Sequence, residues 1–379
     1  MKNEKKLSIL IDNDNHLQSR GVIKMGSNQR DIFDVTIIGG GAAGLYSAFY
    51  SGLREMKTKI IEYQPKLGGK IQVYPEKFVW DVGGVPPMSG FQLMNQLVEQ
   101  GLTFDPTVVL NEKVESIHRE QEGTFILQAA SGETHYSKTI LIATGSGILS
   151  PKKLHIQHAD TFETTRVHYA VNSLMDFHNK NVIISGGGDT AVDWANALEP
   201  VAKKVYIAYR KEQPNGHEAN VTQLMNGCAT CLPKTCITGI QPCPYRKMIE
   251  RVTVTNQETG HMSSIEVDDV IVNHGYEQDI NLLKNSPINV EMKDGFFIKG
   301  NSFSESSVEG VYAAGDILSY EGKVNLIAGA FQDAANAVNQ AKRYIEPQAD
   351  EAPMVSSHNT LFEKRNQQIN KTTIETEAL

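Results

Sequence analysis

The chain has 379 residues, 40% hydrophobic and 21% charged, with 31 glycines and a formal charge of −8. That length exceeds what one core needs, so two domains with appendages are expected. The acidic balance and the lack of a basic or aromatic stripe argue against nucleic acid, and no apolar run is long enough to span a bilayer.

Residues 1–30 are polar and without periodicity, and are expected to form a loosely attached N-terminal extension. Their only apolar patch, residues 7–11, stops at Asp12-Asn13-Asp14, too soon for a secretory signal. The expected compartment is therefore the cytoplasm, where four cysteines stay reduced unless used for chemistry. From Phe33 the pattern becomes α/β. Residues 34–38 read as a buried strand, a glycine turn follows, and 42–54 read as a helix. The next strand is 59–62, and a later one at 139–143 runs into Thr144-Gly145. The pattern restarts with a strand at 182–185, glycines, a helix at 189–198 and a strand at 205–209. Two such units imply two Rossmann-like dinucleotide-binding domains in one polypeptide.

The first loop, Gly39-Gly40-Gly41-Ala42-Ala43-Gly44, follows a strand and opens a helix. Gly39 permits the tight turn, Gly41 lets a pyrophosphate approach the backbone, and Gly44 lets helix and strand pack closely. Glu62 lies 23 residues after Gly39, where an acid accepts hydrogen bonds from an adenosine ribose. The second loop is Gly186-Gly187-Gly188-Asp189-Thr190-Ala191. Its counterpart to Glu62 is Arg210, 24 residues after Gly186, with Lys211 next. A carboxylate there would repel a 2′-phosphate, whereas a guanidinium binds it. The charge swap assigns FAD to the first loop and favours NADPH over NADH at the second, the alternative being a solvated strand end. A late strand delivering Gly315-Asp316 would complete the FAD module, with Asp316 on the ribityl chain. The helix read at 326–341 would aim its N-terminus at the flavin. The expected domains are therefore 1–30 (extension), 31–150 and 277–345 (FAD), 151–276 (NADPH, inserted) and 346–379 (tail).

These features together resemble the thioredoxin reductase-like pyridine nucleotide flavoproteins. Within that group the chain is most similar to the bacterial ferredoxin–NADP reductases of thioredoxin reductase type. The phrases that carry the likeness are Tyr74-Pro75-Glu76-Lys77, His168-Tyr169, residues 186–194, residues 320–327 and Leu361-Phe362-Glu363. The resemblance implies an FAD-containing homodimer passing electrons between NADPH and ferredoxin or flavodoxin. It implies that Tyr74 stacks on one face of the isoalloxazine, with a plain core tyrosine as the alternative. It also puts Glu62, Val114, Leu149 and Asp316 at FAD-contacting positions, and makes His358 the candidate for the other flavin face, contributed across the dimer. Two departures stand out. Lys70 replaces a glutamine beside the flavin, and Asn215 replaces a third base of the phosphate clamp, which weakens the expected NADPH preference. The same family geometry implies that the inserted domain rotates about joints near Ser150-Pro151 and Gly275-Tyr276.

Cys228-Ala229-Thr230-Cys231 spells the dithiol of true thioredoxin reductases, but it lies downstream of the second glycine loop. In those enzymes the pair lies upstream, where this chain has His168-Tyr169-Ala170-Val171. Structural cysteines are the leading reading for Cys228, Cys231, Cys236 and Cys243. A redox pair or a metal site remains open, although the spacing matches no common metal pattern. The rival functions are a flavin-dependent disulfide reductase using Cys228 and Cys231, and a flavoprotein sensor with a weakened NADPH site.

Overall fold

The computed structural model describes residues 30–147, 150–163, 165–245, 247–277, 279, 281–354, 356–363 and 366–367. The expected N-terminal extension falls outside these residues, apart from Arg30, and so does Leu149. The elements below all belong to one compact unit that starts at Ile32.

The first part of the chain runs β1 (Ile32–Ile38), α1 (Ala42–Leu53), β2 (Thr58–Ile61), the short pair β3 (Phe78–Val79) and β4 (Met88–Ser89), and α2 (Gly90–Gly101). It continues through β5 (Thr107–Val109), β6 (Val114–Arg119), β7 (Phe125–Ala129) and β8 (Thr134–Ile142). The second part runs α3 (Ala159–Phe162), β9 (Val167–His168), β10 (Asn181–Ser185), α4 (Asp189–Leu198), β11 (Lys204–Ala208), α5 (Glu218–Asn226), β12 (Thr230–Leu232), β13 (Thr235–Pro242), β14 (Ile249–Asn256), β15 (Met262–Glu266) and β16 (Asp269–Val272). The last part contains α6 (Asn281–Lys284), β17 (Met292–Lys293), β18 (Phe297–Lys299), β19 (Val311–Ala313), β20 (Leu318–Ser319) and α7 (Ile327–Ile345).

The first sheet has the order β5-β2-β1-β8-β7-β6. Strand β1 is central and parallel to both neighbours, and its near-continuous apolar run fits a strand covered on two faces. Alternation along it separates two cores. Val35 and Ile37 face the helical side with Leu45, Leu97, Ala334 and Val338, while Ile38 faces Ile117, Phe125, Leu127 and Ile298. Strand β8 is long enough to pair twice on one side. Its first residues run antiparallel to β7, and Ile140 to Ile142 run parallel to β19. Strand β19, whose residues lie 171 positions after their partners on β8, thus joins the first sheet and carries Gly315-Asp316 to its carboxyl end.

Helices α1 and α7 pack closely because both faces are small: Ala43, Gly44, Ser47 and Ala48 on one, Ala330, Ala334, Ala337 and Ala341 on the other. The Ser47 hydroxyl is satisfied within its own helix by donating to the Ala43 carbonyl at 2.8 Å.

A separate parallel sheet has the order β12-β11-β10-β16-β9, flanked by the antiparallel three-stranded sheet β13-β14-β15. After the second phosphate segment the chain forms α5 and then β12 and β13. The two connections between the sheets run side by side. Lys152 N–H donates to the Gly275 carbonyl at 2.9 Å, Glu277 N–H donates to the Ser150 carbonyl at 2.8 Å, and Pro151 bridges to Tyr276. No helix among the described residues is long and apolar enough to cross a membrane.

Candidate functional site

A cleft with about 1300 Å³ of atom-free space, solvent included, opens at the carboxyl ends of the first sheet. Gly39, Gly41, Ala42 and Ala43 form one wall, and Glu62, Lys70, Tyr74, Val114 and Asp316 line the rest. Leu326, Ile327 and Ala330 bring the start of α7 to the same cleft. Gly44 is buried behind the loop instead. A Cβ there would collide with the Gly39 carbonyl, so its role is helix–strand packing. Gly39 has φ +109°, and a Cβ on it would run into the Ala143 carbonyl at the end of β8.

The helices that begin at ligand-ready loops lack side-chain caps. Both α1 (N-cap Gly41) and α7 (N-cap Leu326) leave their first N–H groups without a side-chain acceptor and carry no acid in the first turn. By contrast, α2 starts with a complete capping box between Ser89 and Gln92. An uncapped, glycine-lined start is an anion site in waiting.

Glu62 stands just past the end of β2, one residue beyond the last ladder position. Its Oε2 accepts Gly40 N–H at 2.6 Å and its Oε1 accepts Gln64 N–H at 2.7 Å. An ionised carboxylate has about four acceptor sites, so two remain for hydroxyls in the cleft. Tyr74 presents a half-buried ring. Burial first, then the nearby Asp81 and Asp316 carboxylates, push its hydroxyl above the ordinary value, so it stays neutral. Lys70 lies exposed on the rim. The glycine cradle, spare acceptors and flat aromatic wall fit an FAD.

Two further wall residues escaped sequence reading. Lys113 Nζ pairs with Asp279 at 2.5 Å, tying the cleft to the chain that returns from the second sheet. Burial raises the Asp279 carboxyl, but the hydrogen bonds from Lys113 and from Asn281 N–H outweigh it and hold it below 3.8.

The second loop has the same plan on the other sheet. Gly186 has φ +148°, and a Cβ there would sit 2.5 Å from the Asn273 carbonyl, whereas a Cβ on Gly188 would meet nothing within 4 Å. That open side is where a nucleotide backbone has room. Asp189 accepts His217 N–H at 2.8 Å, and Asn215 N–H donates to the Gly187 carbonyl at 2.6 Å, so the 215–217 segment closes over the loop. Thr190 is exposed in the first turn of α4. Arg210 and Lys211 lie exposed two and three residues past β11, and Arg210 has no ion-pair partner among the described residues. An exposed cation pair beside an open glycine loop fits a phosphorylated dinucleotide.

His358 sits exposed in a single turn, Ser356–His358, and is not on the wall of its own chain's cleft. The adjacent Phe362 packs against Phe49 and Phe104, with ring centroids 6.5 and 5.6 Å away.

Cys231 is not an activated thiol. Cys231 lies on the edge strand β12, where burial pushes its thiol up and the Tyr209 hydroxyl donates to its sulfur. Tyr209 itself is pushed up to about 12 by burial and by that contact. Cys228 is exposed, neither residue lines the cleft, and the described residues hold no cluster fit for a metal ion. The upstream place of a dithiol is filled by β9. His168 there bonds Asp269 at 2.7 Å, and the Tyr169 hydroxyl donates to Glu163 at 3.0 Å.

Residues 33–341 match the family described as pyridine nucleotide-disulphide oxidoreductase. The chain belongs to that family. It is 62% identical over 348 residues to ferredoxin–NADP reductase 1 of Bacillus cytotoxicus, covering 92% of this chain and 100% of the relative. It is 58% identical to ferredoxin–NADP reductase 1 of Bacillus licheniformis, covering 91% and 99%. Among solved structures, thioredoxin reductase from T. acidophilum superposes with a TM-score of 0.69 at 25% identity, covering 84% of this chain and 99% of that one. The Lactococcus lactis enzyme gives the same TM-score at 22% identity, covering 83% and 99%. The latter likeness speaks for the fold alone.

Proposed function

We propose that this oxidoreductase carries electrons between NADPH and a small carrier protein, a ferredoxin or flavodoxin, through a bound FAD. A bound FAD would supply the redox chemistry, linking the two-electron donor NADPH to a one-electron carrier. The observation that carries the reading is the contrast between Glu62, engaged with the first glycine loop, and Arg210, exposed beside the second with no ion-pair partner among the described residues.

In this reading Gly39, Gly41, Ala42 and Ala43 hold the FAD pyrophosphate, and Glu62 accepts its ribose hydroxyls. Asp316 accepts from the ribityl chain, Val114 contacts the FAD, and Tyr74 stacks on one face of the ring, with Lys70 at its rim. Gly186, Gly188 and Thr190 receive the NADPH pyrophosphate, with Asp189 holding the loop, and Arg210 and Lys211 bind the 2′-phosphate. Residues 151–276 form the NADPH domain, inserted between the FAD segments 31–150 and 277–345. The paired strands at Ser150–Pro151 and Gly275–Tyr276 act as its hinge. The protein works as a cytoplasmic homodimer, in which His358 of one subunit covers the flavin of the other.

The disulfide-reductase alternative is disfavoured by the raised Cys231 thiol and by the filled upstream position. Anaerobic mixing with NADPH tests the reading. Bleaching of the flavin absorbance, faster with NADPH than with NADH, is expected, and an unbleached spectrum would overturn it.

A further inference from the structure

Asp333 lies on the apolar stripe of α7, between Ala330 and Ala334, and is fully buried. Its Oδ2 accepts Gly315 N–H at 3.0 Å and pairs with the Lys323 ammonium, whose side chain is only 6% exposed. Its Oδ1 accepts the Tyr320 hydroxyl at 2.9 Å. The Asp333 carbonyl takes the Ser304 hydroxyl at 2.9 Å. Burial and the bond to Asp333 push Tyr320 up to about 12, so it remains a donor at every working pH.

Three pieces of the cleft wall meet at this carboxylate. Gly315 has φ +77°, and a Cβ on it would lie 3.0 Å from Ala43 Cβ, so the turn bearing Asp316 rests on the first turn of α1. The loop from Tyr320 to Leu326 leads into the uncapped start of α7, and the Val324 carbonyl lies against Gly329 so closely that no Cβ fits between them. A buried ion pair adds little net stability over a well-packed apolar pair. What it does supply is one arrangement of its partners. A hydrophobe at position 333 would continue the stripe but fix neither the Gly315 turn nor the 320–326 loop.

We propose that Asp333 is a positioning residue for the bound flavin, acting through the Gly315–Asp316 turn and the loop that delivers the α7 N-terminus to the cleft. The proposal rests on the FAD reading given above. Lys323 and Tyr320 are its partners, which makes residues 320–325 of that phrase a structural support of the site rather than direct ligands.

The test is FAD titration of the deflavinated protein, with the midpoint potential and visible spectrum of the reloaded protein, for Asp333→Asn, Lys323→Met, the double variant and Tyr320→Phe. Asp269→Asn, an equally buried carboxylate on the second sheet, is the control. Asp333→Asn and Lys323→Met are expected to weaken FAD binding about ten-fold or more and to shift the potential and the visible bands, since each leaves a buried charge or donor unpaired. The double variant, which removes both charges, should recover part of the loss. Tyr320→Phe, which deletes one hydroxyl from an otherwise intact fold, should weaken binding about two- to ten-fold. It keeps the proposal testable if Asp333→Asn does not fold. Asp269→Asn should lower the melting temperature and leave the flavin readings unchanged. Flavin affinity, potential and spectrum within two-fold or unshifted in all Asp333 and Tyr320 variants, with only the melting temperature lowered, would overturn the proposal. Wild-type protein that binds no FAD would overturn the cofactor reading and the proposal with it.

Discussion

Gly40 N–H donates to the Glu62 carboxylate at 2.6 Å, so the first glycine loop and the end of the second strand are locked as one unit. A Cβ on Gly40 would come 3.2 Å from that same carboxylate oxygen. Glu62 therefore has two tasks, shaping the loop and offering its remaining lone pairs to the cleft. Glu62→Ala should strand two backbone donors, costing about 2–4 kcal/mol in all at about 1–2 kcal/mol each. The checks are a lower melting temperature and FAD loss on gel filtration. Retention of FAD at wild-type affinity would refute the ribose assignment.

In the proposed function Arg210 carries the dinucleotide preference. Charge-assisted bonds to phosphate contribute about 1.5–3 kcal/mol, so Arg210→Ser should raise KM for NADPH about 10- to 100-fold. KM for NADH should stay within about two-fold, because no 2′-phosphate is there to lose. Equal effects on both nucleotides would show that Arg210 acts only on the loop's conformation.

The two sheet units touch through Lys77. Its ammonium lies 2.8 Å from Asp193 and 4.4 Å from the centre of the Trp194 ring, while Glu76 accepts Leu174 N–H at 2.9 Å. This pair is about a third exposed, so Lys77→Met should shift the orientation equilibrium by only about 0.5–1.5 kcal/mol, or two- to ten-fold. Trp194 is buried and Trp80 is 75% exposed, so iodide-resistant fluorescence isolates Trp194. That signal should change in the variant, and an unchanged spectrum would show that Lys77 holds nothing in place.

Acid should unfold the protein in two stages. Burial, then the charge of Lys59, holds His135 below its ordinary 6.5, so the unfolded chain takes up a proton that the folded one resists. Stability from this group is complete above about pH 6.5 and falls as pH drops toward the lower folded value. For Asp269, burial raises the carboxyl, but hydrogen bonds from His168 and Lys180 outweigh it and hold the group below 3.8. Its contribution is present above that value and is lost as pH falls through the lower folded one. Melting curves across pH 3–8 should show both declines. His135→Asn should flatten the upper one, and Asp269→Asn should cost about 2–4 kcal/mol, discounted because its three partners are partly exposed.

Much of this architecture is legible in the sequence because it is written locally. The apolar run into Gly39, the helix from Ala42 and the repeat of that pattern at Gly186 lie within a few turns of each other, and propensity, period and turn chemistry agree there. The late strand into Gly315-Asp316 was legible for the same reason. Strand ends were less so. β2 stops at Ile61 and β11 at Ala208, because ladder bonding ends where the chain bends toward the loops. Pairings such as Lys113 with Asp279 and Lys77 with Asp193 join residues more than 100 positions apart, and no local pattern encodes them. Asp333 did leave a trace, a single acid on the alanine stripe of α7, where only a buried partner explains a charge.

Reduction of cytochrome c by NADPH, with and without added ferredoxin, tests the central claim most directly. The expected rate depends on ferredoxin, falls with Arg210→Ser and is unchanged when Cys228 and Cys231 are both replaced by serine. A rate indifferent to ferredoxin, together with NADPH oxidation by a disulfide that disappears in the serine variant, would contradict it.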